Sequence, residues 1–548
     1  MKKIFKSIFY FSVLAISTTS CTDLLTEKPD SYLDQNTFFT SVANAEMSVI
    51  GIYDVFAKED HYGQFEMAMP TSDDMYHITP SSQTDNSRRD ISHYMLSTSN
   101  AWVNSLWNNK YKGLDRANFT LESIRNMDLY KEGNEALLSL EGEACFLRAF
   151  IAFDLVKYWG DVPFKTTYTK TVEEAYQPRT NREAIYDQMV EDLTVAINQL
   201  KWSGDSGCTG ERTNQGAARG LLMRVLMHRA GYSLQMDGSL TRPDDATRQK
   251  YFTEVIKQFE AIEANGFHKF HTEGYKQLWV NYSAEILQPS ESLFEIALYT
   301  PDGKKEDAGT WGSYIGPEVD ASSSYGRANA FFRVLPEWYD FYAEGDERRD
   351  VNICKYKIDA KNNKIENKPS AWYPGKWRRE WMSGAPKDPN NTDVNIVIVR
   401  YADLVLLAAE AYNELGNTSE ALRQLNRVRE RAGVAPITED MANYATFYKK
   451  PQVKDLTYID DSSLQGKIRT ALYWERGFEL CFEGSRKNDL IRWGILQDAI
   501  QFFGSFTKSG KSYKAKDYYE KGKHELFPVP LNEIDINHKL NGVNNPNY

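Results

Sequence analysis

Cysteine is scarce, with five in 548 residues, and no Cys-x-x-Cys pair or nearby histidine has a spacing that would hold zinc. That leaves little basis for a metal or dithiol redox centre. No hydrophobic run beyond the N-terminal segment is long and clean enough to cross a bilayer; the best, residues 395–412, is interrupted by Arg400, Asp403 and Glu410. Gly-x-Ser-x-Gly, His-Glu-x-x-His and phosphate-loop motifs are also missing, which argues against the commonest hydrolase, metalloprotease and nucleotide chemistries. There is no basic excess: Lys and Arg total 65, Asp and Glu 76, a net charge of −11. Without the three lysines of residues 1–20 the balance is −14, and a net-acidic surface is a poor match for nucleic acid. What the chain does have is apolar and aromatic mass. It is 41% hydrophobic and carries 33 Tyr, 27 Phe and 12 Trp, enough for a large core and too much for a disordered or fibrous protein.

Residues 1–20 read as an export signal. Lys2, Lys3 and Lys6 precede an apolar run from Ile8 to Ile16, and Ser17-Thr18-Thr19-Ser20 then meets Cys21. A small residue before a cysteine at this point resembles a bacterial lipoprotein signal, with Thr18 in place of the usual Leu, so Cys21 is expected to be the lipid anchor. The alternative is a soluble export signal with a coincidental cysteine. Of the other cysteines, Cys145 and Cys481 lie on apolar helical stretches and read as buried small hydrophobes, while the flanks of Cys208 look exposed.

Beyond the signal, helical periodicity dominates. Met47, Ile50, Tyr53 and Val55 suggest one apolar face, with Gly51 permitting close packing; Tyr111, Leu114, Ala117, Leu121 and Ile124 suggest another. Leu137 to Tyr158 forms a long helix stopped by Gly160-Asp161-Val162-Pro163, and 181–200, 214–231 and 248–264 add three more. From Tyr401 to Gly433, small residues at Ala408, Ala411 and Ala421 flank a Gly416-Asn417 turn, a loose tetratricopeptide pattern. Between 271 and 395 the periodicity fails apart from a strand-like Ser292 to Tyr299, and the segment reads as a loop-rich insertion of the kind that carries function. The expected architecture is mainly α: an N-terminal helical scaffold over 21–270, the insertion over 271–395, and a tetratricopeptide-like and capping region over 396–548.

Several motifs recur together in order: Cys21 to Pro29, Gly51-Ile52-Tyr53-Asp54, Trp107 with Tyr111, Arg148 to Phe164, Asp346-Glu347-Arg348-Arg349, Arg400-Tyr401-Ala402-Asp403, Trp474-Glu475-Arg476 to Glu483-Gly484, Arg492-Trp493-Gly494, and the ending from Phe527 to Tyr548. Taken together they resemble the SusD/RagB-like surface lipoproteins of Bacteroidetes glycan-uptake systems, over nearly the whole mature chain. Two departures bear on local packing: Gly477 stands where the family usually has a second Arg, and Lys487-Asn488 where an aromatic residue usually precedes Asp489. From the residues themselves the charged motif positions, among them Asp346, Arg348, Glu475, Arg476, Glu483, Arg486 and Asp489, read as ion pairs of structural use rather than as catalysts.

The resemblance implies an outer-membrane protein that captures oligosaccharides at the cell surface and delivers them to a SusC-like TonB-dependent transporter, without chemistry of its own. The alternatives are a peptide-binding member of the same family and a transporter lid that binds no free ligand. Sugar C–H faces stack on aromatic rings while hydroxyls need directional partners, so the candidates are Arg88, Tyr94, Trp102 and Asn104 in the stretch 61–107, and Trp311, Tyr314, Tyr325 and Trp372 in the insertion. Trp338 sits in a helical pattern and Trp107 in a family structural motif, so core packing is favoured for both; Trp377 and Trp381 suit packing or a partner surface as well as sugar. Asp73-Asp74 invites an acid/base reading, but adjacent carboxylates seldom address one substrate atom. No cofactor is expected; a structural calcium at Asp388 to Asp393 would have hard oxygen ligands but lacks the spaced loop pattern. The lysine-rich stretch 508–523 with Tyr513, Tyr518 and Tyr519 reads as a solvated loop. The anchor is directly testable: Cys21→Ala is expected to move the protein from the membrane fraction to the soluble one, and its persistence in membranes would contradict the lipid-anchor reading.

Overall fold

In the computed structural model the described residues are 38–78, 86–205, 209–299, 307–383, 391–440, 463–506 and 512–548. The signal segment, Cys21, Cys208 and the first half of the Asp388 to Asp393 turn lie outside them. The scaffold is a succession of long helices: α1 (Val42–Tyr53), α2 (Ala101–Asn126), α3 (Glu135–Trp159), α4 (Arg182–Gln199), α5 (Gln215–Arg229), α6 (Asp245–Asn265), α7 (Tyr401–Glu414), α8 (Thr418–Arg431) and α9 (Leu464–Leu480). From α2 to α8 each packs on the next, so that every apolar face is covered by the following helix, as in tetratricopeptide arrays. Asparagine side chains cap the starts of α2, α3, α4 and α5 by accepting from the first free backbone N–H groups.

The stop after α3 works as its sequence implies. Gly160 takes φ 70, and a Cβ there would lie 2.6 Å from the Arg182 guanidinium, so both the turn and the close approach need glycine. Arg182 donates to Asp161 at 2.6 Å. The C-terminal motif closes on the same point: Trp159 Nε1 donates to the Pro528 carbonyl at 2.9 Å, and Asn545 donates to the carbonyls of Trp159 and Phe527 at 3.1 and 2.7 Å.

Helix α1 departs from its expected face. Ala45, Val49 and Ile52 are the buried positions, whereas Met47 and Ile50 are about half exposed and nothing packs near Gly51. The helix touches both α2 and α3, and the small Ala45, together with a 2.7 Å Ser48 to Thr120 hydroxyl bond, sets the face that allows that approach. The lysine-rich stretch is also corrected in part: Tyr513 and Tyr519 are buried, Tyr513 donating to the Ser72 carbonyl at 2.6 Å. Cys145, Cys354 and Cys481 are buried, as are Trp107 and Trp338.

Residues 297–395 leave and re-enter the scaffold through one buried antiparallel pair, Ser292–Ile296 against Ile396–Arg400. The stretch is less irregular than its sequence suggests, since a helix at Tyr275–Ser283 precedes that pair and several two-stranded ladders follow. Its aromatic side chains enter the main core: Trp311, Trp338 and Trp377 belong to the same apolar cluster as the helices, together with Trp279 of the preceding helix. Gly477 has a packing reason, because a Cβ there would sit 2.6 Å from the Trp338 ring. Lys487 also has a place: it is buried with its ammonium 4.8 Å from the Tyr94 ring centre, and burial pushes it down to about 8.

A buried ion network joins these parts. Glu479 on α9 accepts from Arg400 at 2.7 Å and from Arg431, with Arg348 at 3.6 Å; Glu475 accepts from Arg348 at 2.8 Å and from Arg429. Lys376 donates to the Glu479 carbonyl at 2.8 Å and to Glu483 at 2.5 Å. Burial alone would raise the Glu479 carboxyl, but Arg431, Arg400, Arg348 and Lys376 outweigh it and hold it at about 2. A carboxyl depressed from 4.5 contributes stability that is present above 4.5 and lost as pH falls toward 2. Glu479→Gln is therefore expected to cost about 3 kcal/mol near neutral pH in urea unfolding. The gap to the parent should narrow from about pH 5 to about pH 3; a gap independent of pH would contradict this electrostatic role.

Candidate functional site

Two segments far apart in sequence are brought side by side by a short ladder. Met75–His77 pairs antiparallel with Phe332–Val334, and the Ile78 amide donates to the Phe331 carbonyl at 2.8 Å. The first of these segments is fixed at its base. Asp73 accepts from Arg486 at 2.8 and 3.0 Å and from Tyr473 at 2.9 Å, while Asp74 accepts from the Phe482 amide at 3.0 Å. The two carboxylates thus serve different partners inside the protein, and neither meets the other across an open cleft. Burial, then the Asp73 charge, pushes Asp74 up to about 6.

Beyond this ladder, Arg88, Trp102 and Tyr314 meet. The Arg88 guanidinium lies 5.2 Å from the Trp102 ring centre and 5.7 Å from that of Tyr314, within cation–π range of both. Trp102 is the second residue of α2, held where Asn100 caps the helix. Tyr314 belongs to the turn after Trp311 and stands edge-on to Phe331 at 4.8 Å; Phe331 in turn stacks on His77 at 5.7 Å and 8°. His77 is buried and pushed down to about 3 by desolvation, so this backing stays uncharged at neutral pH. All three of Arg88, Trp102 and Tyr314 are partly exposed.

Trp102 also forms a wall of an open groove of about 520 Å³, lined further by Lys58, Glu59, Asp60, Ser105, Asn109 and Lys112. Ser105, Asn109 and Lys112 follow Trp102 at three, seven and ten residues, one stripe of α2. This run of polar residues on the same face as Trp102 is the sequence signal for residues that aromatic content alone does not flag. Asn109 donates to Asp60 at 2.7 Å, and Lys58 bridges Asp54 and Asp307 at 2.9 and 2.6 Å, so the donors and acceptors of the rim are held in place. An aromatic ring beside fixed amide, carboxylate and ammonium groups, in a volume of this size, suits a polar ligand with apolar C–H faces.

The other candidates do not join this platform. Trp311 is 4% exposed and packs on Trp377 with ring centres 4.3 Å apart, so it is a core residue with no face left for a ligand. Tyr94 is equally buried, its hydroxyl donating to the Thr71 carbonyl at 2.6 Å. Asn104 lies about 200° around α2 from Trp102, off the groove face. Tyr325 packs with Val319, Ala328 and Ile358, and Trp372 packs on Tyr339 at 5.2 Å while donating to the Asn367 carbonyl at 3.0 Å; both are partly exposed but make their contacts elsewhere. Trp377 is buried, and Trp381 lies under the Arg378 guanidinium at 4.3 Å.

Among the described residues one group has the composition of a cation site, His61 with Glu66 and Asp154. Two lysines already supply its positive charge: Lys110 stands 2.5 Å from Asp154 and 3.2 Å from Glu66, and Lys157 stands 2.8 Å from Asp154. Despite burial, these lysines hold Asp154 down to about 2, whereas burial pushes Glu66 up to about 7. The group reads as a buried charge cluster between α2 and α3.

Comparison with known proteins agrees with this architecture. Residues 330–548 match the model of the SusD family, and residues 23–227 match a model described as starch-binding associating with outer membrane. The chain belongs to the SusD/RagB-like family. SusD-like protein P25 of Formosa agariphila is 25% identical over 563 residues, covering 97% of each chain. Among solved structures, a SusD homologue from Bacteroides thetaiotaomicron superposes with a TM-score of 0.79 at 24% identity, covering 94% of this chain and 99% of that one. Surface glycan-binding protein A from the same organism, in complex with laminarihexaose, gives 0.69 at 20% identity, covering 92% and 99%. At these identities the likeness is one of fold. For this SusD/RagB-like chain Arg88 and Trp102 lie inside the N-terminal match, whereas Tyr314 lies between the two matched regions.

Proposed function

We propose that this chain is a surface glycan-binding protein of the outer membrane, anchored through Cys21, that captures an oligosaccharide on the Arg88, Trp102 and Tyr314 platform and passes it to a SusC-like TonB-dependent transporter. The observation that carries this reading is that the Arg88 guanidinium lies within cation–π range of two partly exposed rings, one of which, Trp102, walls a groove that also presents Lys58, Asp60, Asn109 and Lys112. Stacking on Trp102 and Tyr314 would hold sugar faces, and Asp60, Asn109, Lys112 and Arg88 would address the hydroxyls. Family membership and the outer-membrane wording of the N-terminal family model support the location. The role needs no catalyst, and the paired acids, Asp73 and Asp74, are committed to Arg486 and to backbone amides.

The relative solved with laminarihexaose makes β-glucan oligosaccharides the first ligands to test, within a panel of plant, fungal and bacterial glycans with oligopeptides alongside. Calorimetric titration of the mature protein is expected to find a glycan that is recovered unaltered. Trp102→Ala and Tyr314→Ala should each weaken it by about tenfold without shifting thermal stability, while Trp311→Ala should lower stability by about 3 kcal/mol. Binding confined to peptides, or glycan affinity indifferent to both Trp102 and Tyr314, would overturn the assignment.

A further inference from the structure

A second cleft, of about 590 Å³, opens where α5, α6, α7 and α9 converge with the segment around Trp493, and it shares no lining residue with the Trp102 groove. Its walls carry five cationic side chains, Arg242, Arg248, Arg469, Arg492 and Lys521, against two carboxylates, Glu410 and Glu414. Both carboxylates are consumed within the wall. Glu410 accepts from Arg492 at 2.5 and 2.7 Å and from the Trp493 indole at 2.9 Å; Glu414 accepts from Arg469 at 2.6 and 3.1 Å and stands 3.4 Å from Arg248. Two acids outside the lining take up further arginine bonds, Asp489 from Arg492 at 2.9 Å and the exposed Asp245 from Arg248 at 3.2 Å, so the positive charge left over lies on Arg242 and Lys521. Lys521 is exposed and has no acidic partner among the described residues, and the nearest acid to Arg242 is the exposed Asp245 at 3.9 Å. In a chain of net charge −11 such a concentration runs against the average surface.

The cleft also has a ring and a shaped floor. Arg242 lies 5.1 Å from the Tyr232 ring centre, and the Tyr232 amide donates to the Arg492 carbonyl at 2.8 Å. Gly231 and Gly494 let these strands of backbone touch: a Cβ on Gly231 would fall 2.4 Å from the Arg492 Cβ, and one on Gly494 2.9 Å from the Tyr232 ring. Arginine forks, a mobile-headed lysine and a partly exposed phenol ring match a sugar that carries an oxyanion: the charge-assisted bonds take the anion and the ring takes a C–H face.

We infer that this cleft is a second, anion-selective saccharide site, for a sugar unit bearing a carboxylate or a sulfate. It goes beyond the platform reading and stands or falls separately from it. The test is calorimetric titration of the mature protein with trigalacturonate, its methyl ester, a sulfated disaccharide and inorganic sulfate, for the parent, for Arg242→Ala with Lys521→Ala, and for Trp102→Ala. Trigalacturonate or the sulfated disaccharide is expected to bind, the neutral ester to bind much more weakly, and the double variant to lose about tenfold or more of that affinity. Trp102→Ala should leave it unchanged, and raising the salt concentration should weaken it. Preference for trigalacturonate would identify the anion as carboxylate, and preference for the disaccharide as sulfate. Inorganic sulfate binding as tightly as either saccharide would overturn the sugar part of the inference. Binding of none of the probes, equal binding of acid and ester, or undiminished binding by the double variant at unchanged thermal stability would overturn the site itself.

Discussion

The structure depends on positive and negative charges that are buried together. Glu475, Glu479 and Glu483 recur along one side of α9 and its continuation, and they meet Arg348, Arg429, Arg431, Arg400 and Lys376 from four different segments. Leaving any one of these charges alone in the interior would cost on the order of several kcal/mol, so each segment is held to the position where its partner is satisfied. Such a network need not make the protein more stable than an apolar core would; what it does is specify which segment lies against which. A helical array of repeating apolar faces needs such a specification, because one apolar stripe packs nearly as well on another.

From this network the order passes outward to the platform through contact. Lys376 binds Glu483, its neighbour Trp377 packs on Trp311, and three residues later the same turn presents Tyr314 to Arg88, whose guanidinium also reaches Trp102. A second anchor works from the other side, where Asp73 and Asp74 tie the Met75–His77 strand to Arg486 and Phe482. The partly exposed aromatic groups are therefore borne by a rigid base, and rings fixed in advance lose little freedom when a sugar stacks on them. Trp311 contributes to the platform only through this support.

The helical scaffold was legible because its signals are local. The Gly160-Asp161-Val162-Pro163 stop, the apolar run of α3 and the Gly416-Asn417 turn act within a few residues, and the structure realises each of them. The face of α1 was not legible: Met47 and Ile50 fit an apolar spacing as well as Val49 and Ile52 do, and the choice is made by two neighbouring helices, distant in sequence, that cover Ala45, Val49 and Ile52. Aromatic residues in the insertion posed the same difficulty. Trp311, Trp372 and Tyr314 all sit among small or polar neighbours, and only tertiary packing separates Trp311, which goes inside, from Tyr314, which stays at the surface. Of the candidate site, Arg88, Trp102 and Tyr314 could be picked as residue types; their meeting could not, because it depends on a ladder between residues 75–77 and 332–334.

Stacking of sugar on Trp102 and Tyr314, beside the Arg88 guanidinium, is open to direct measurement. Hydroxyl-radical footprinting of the mature protein, read residue by residue by mass spectrometry with and without a bound oligosaccharide, addresses it directly. Protection of Trp102 and Tyr314 on binding is expected, with Tyr325 and Trp372 unchanged. Protection of Tyr325 or Trp372 with Trp102 and Tyr314 still fully reactive would contradict it.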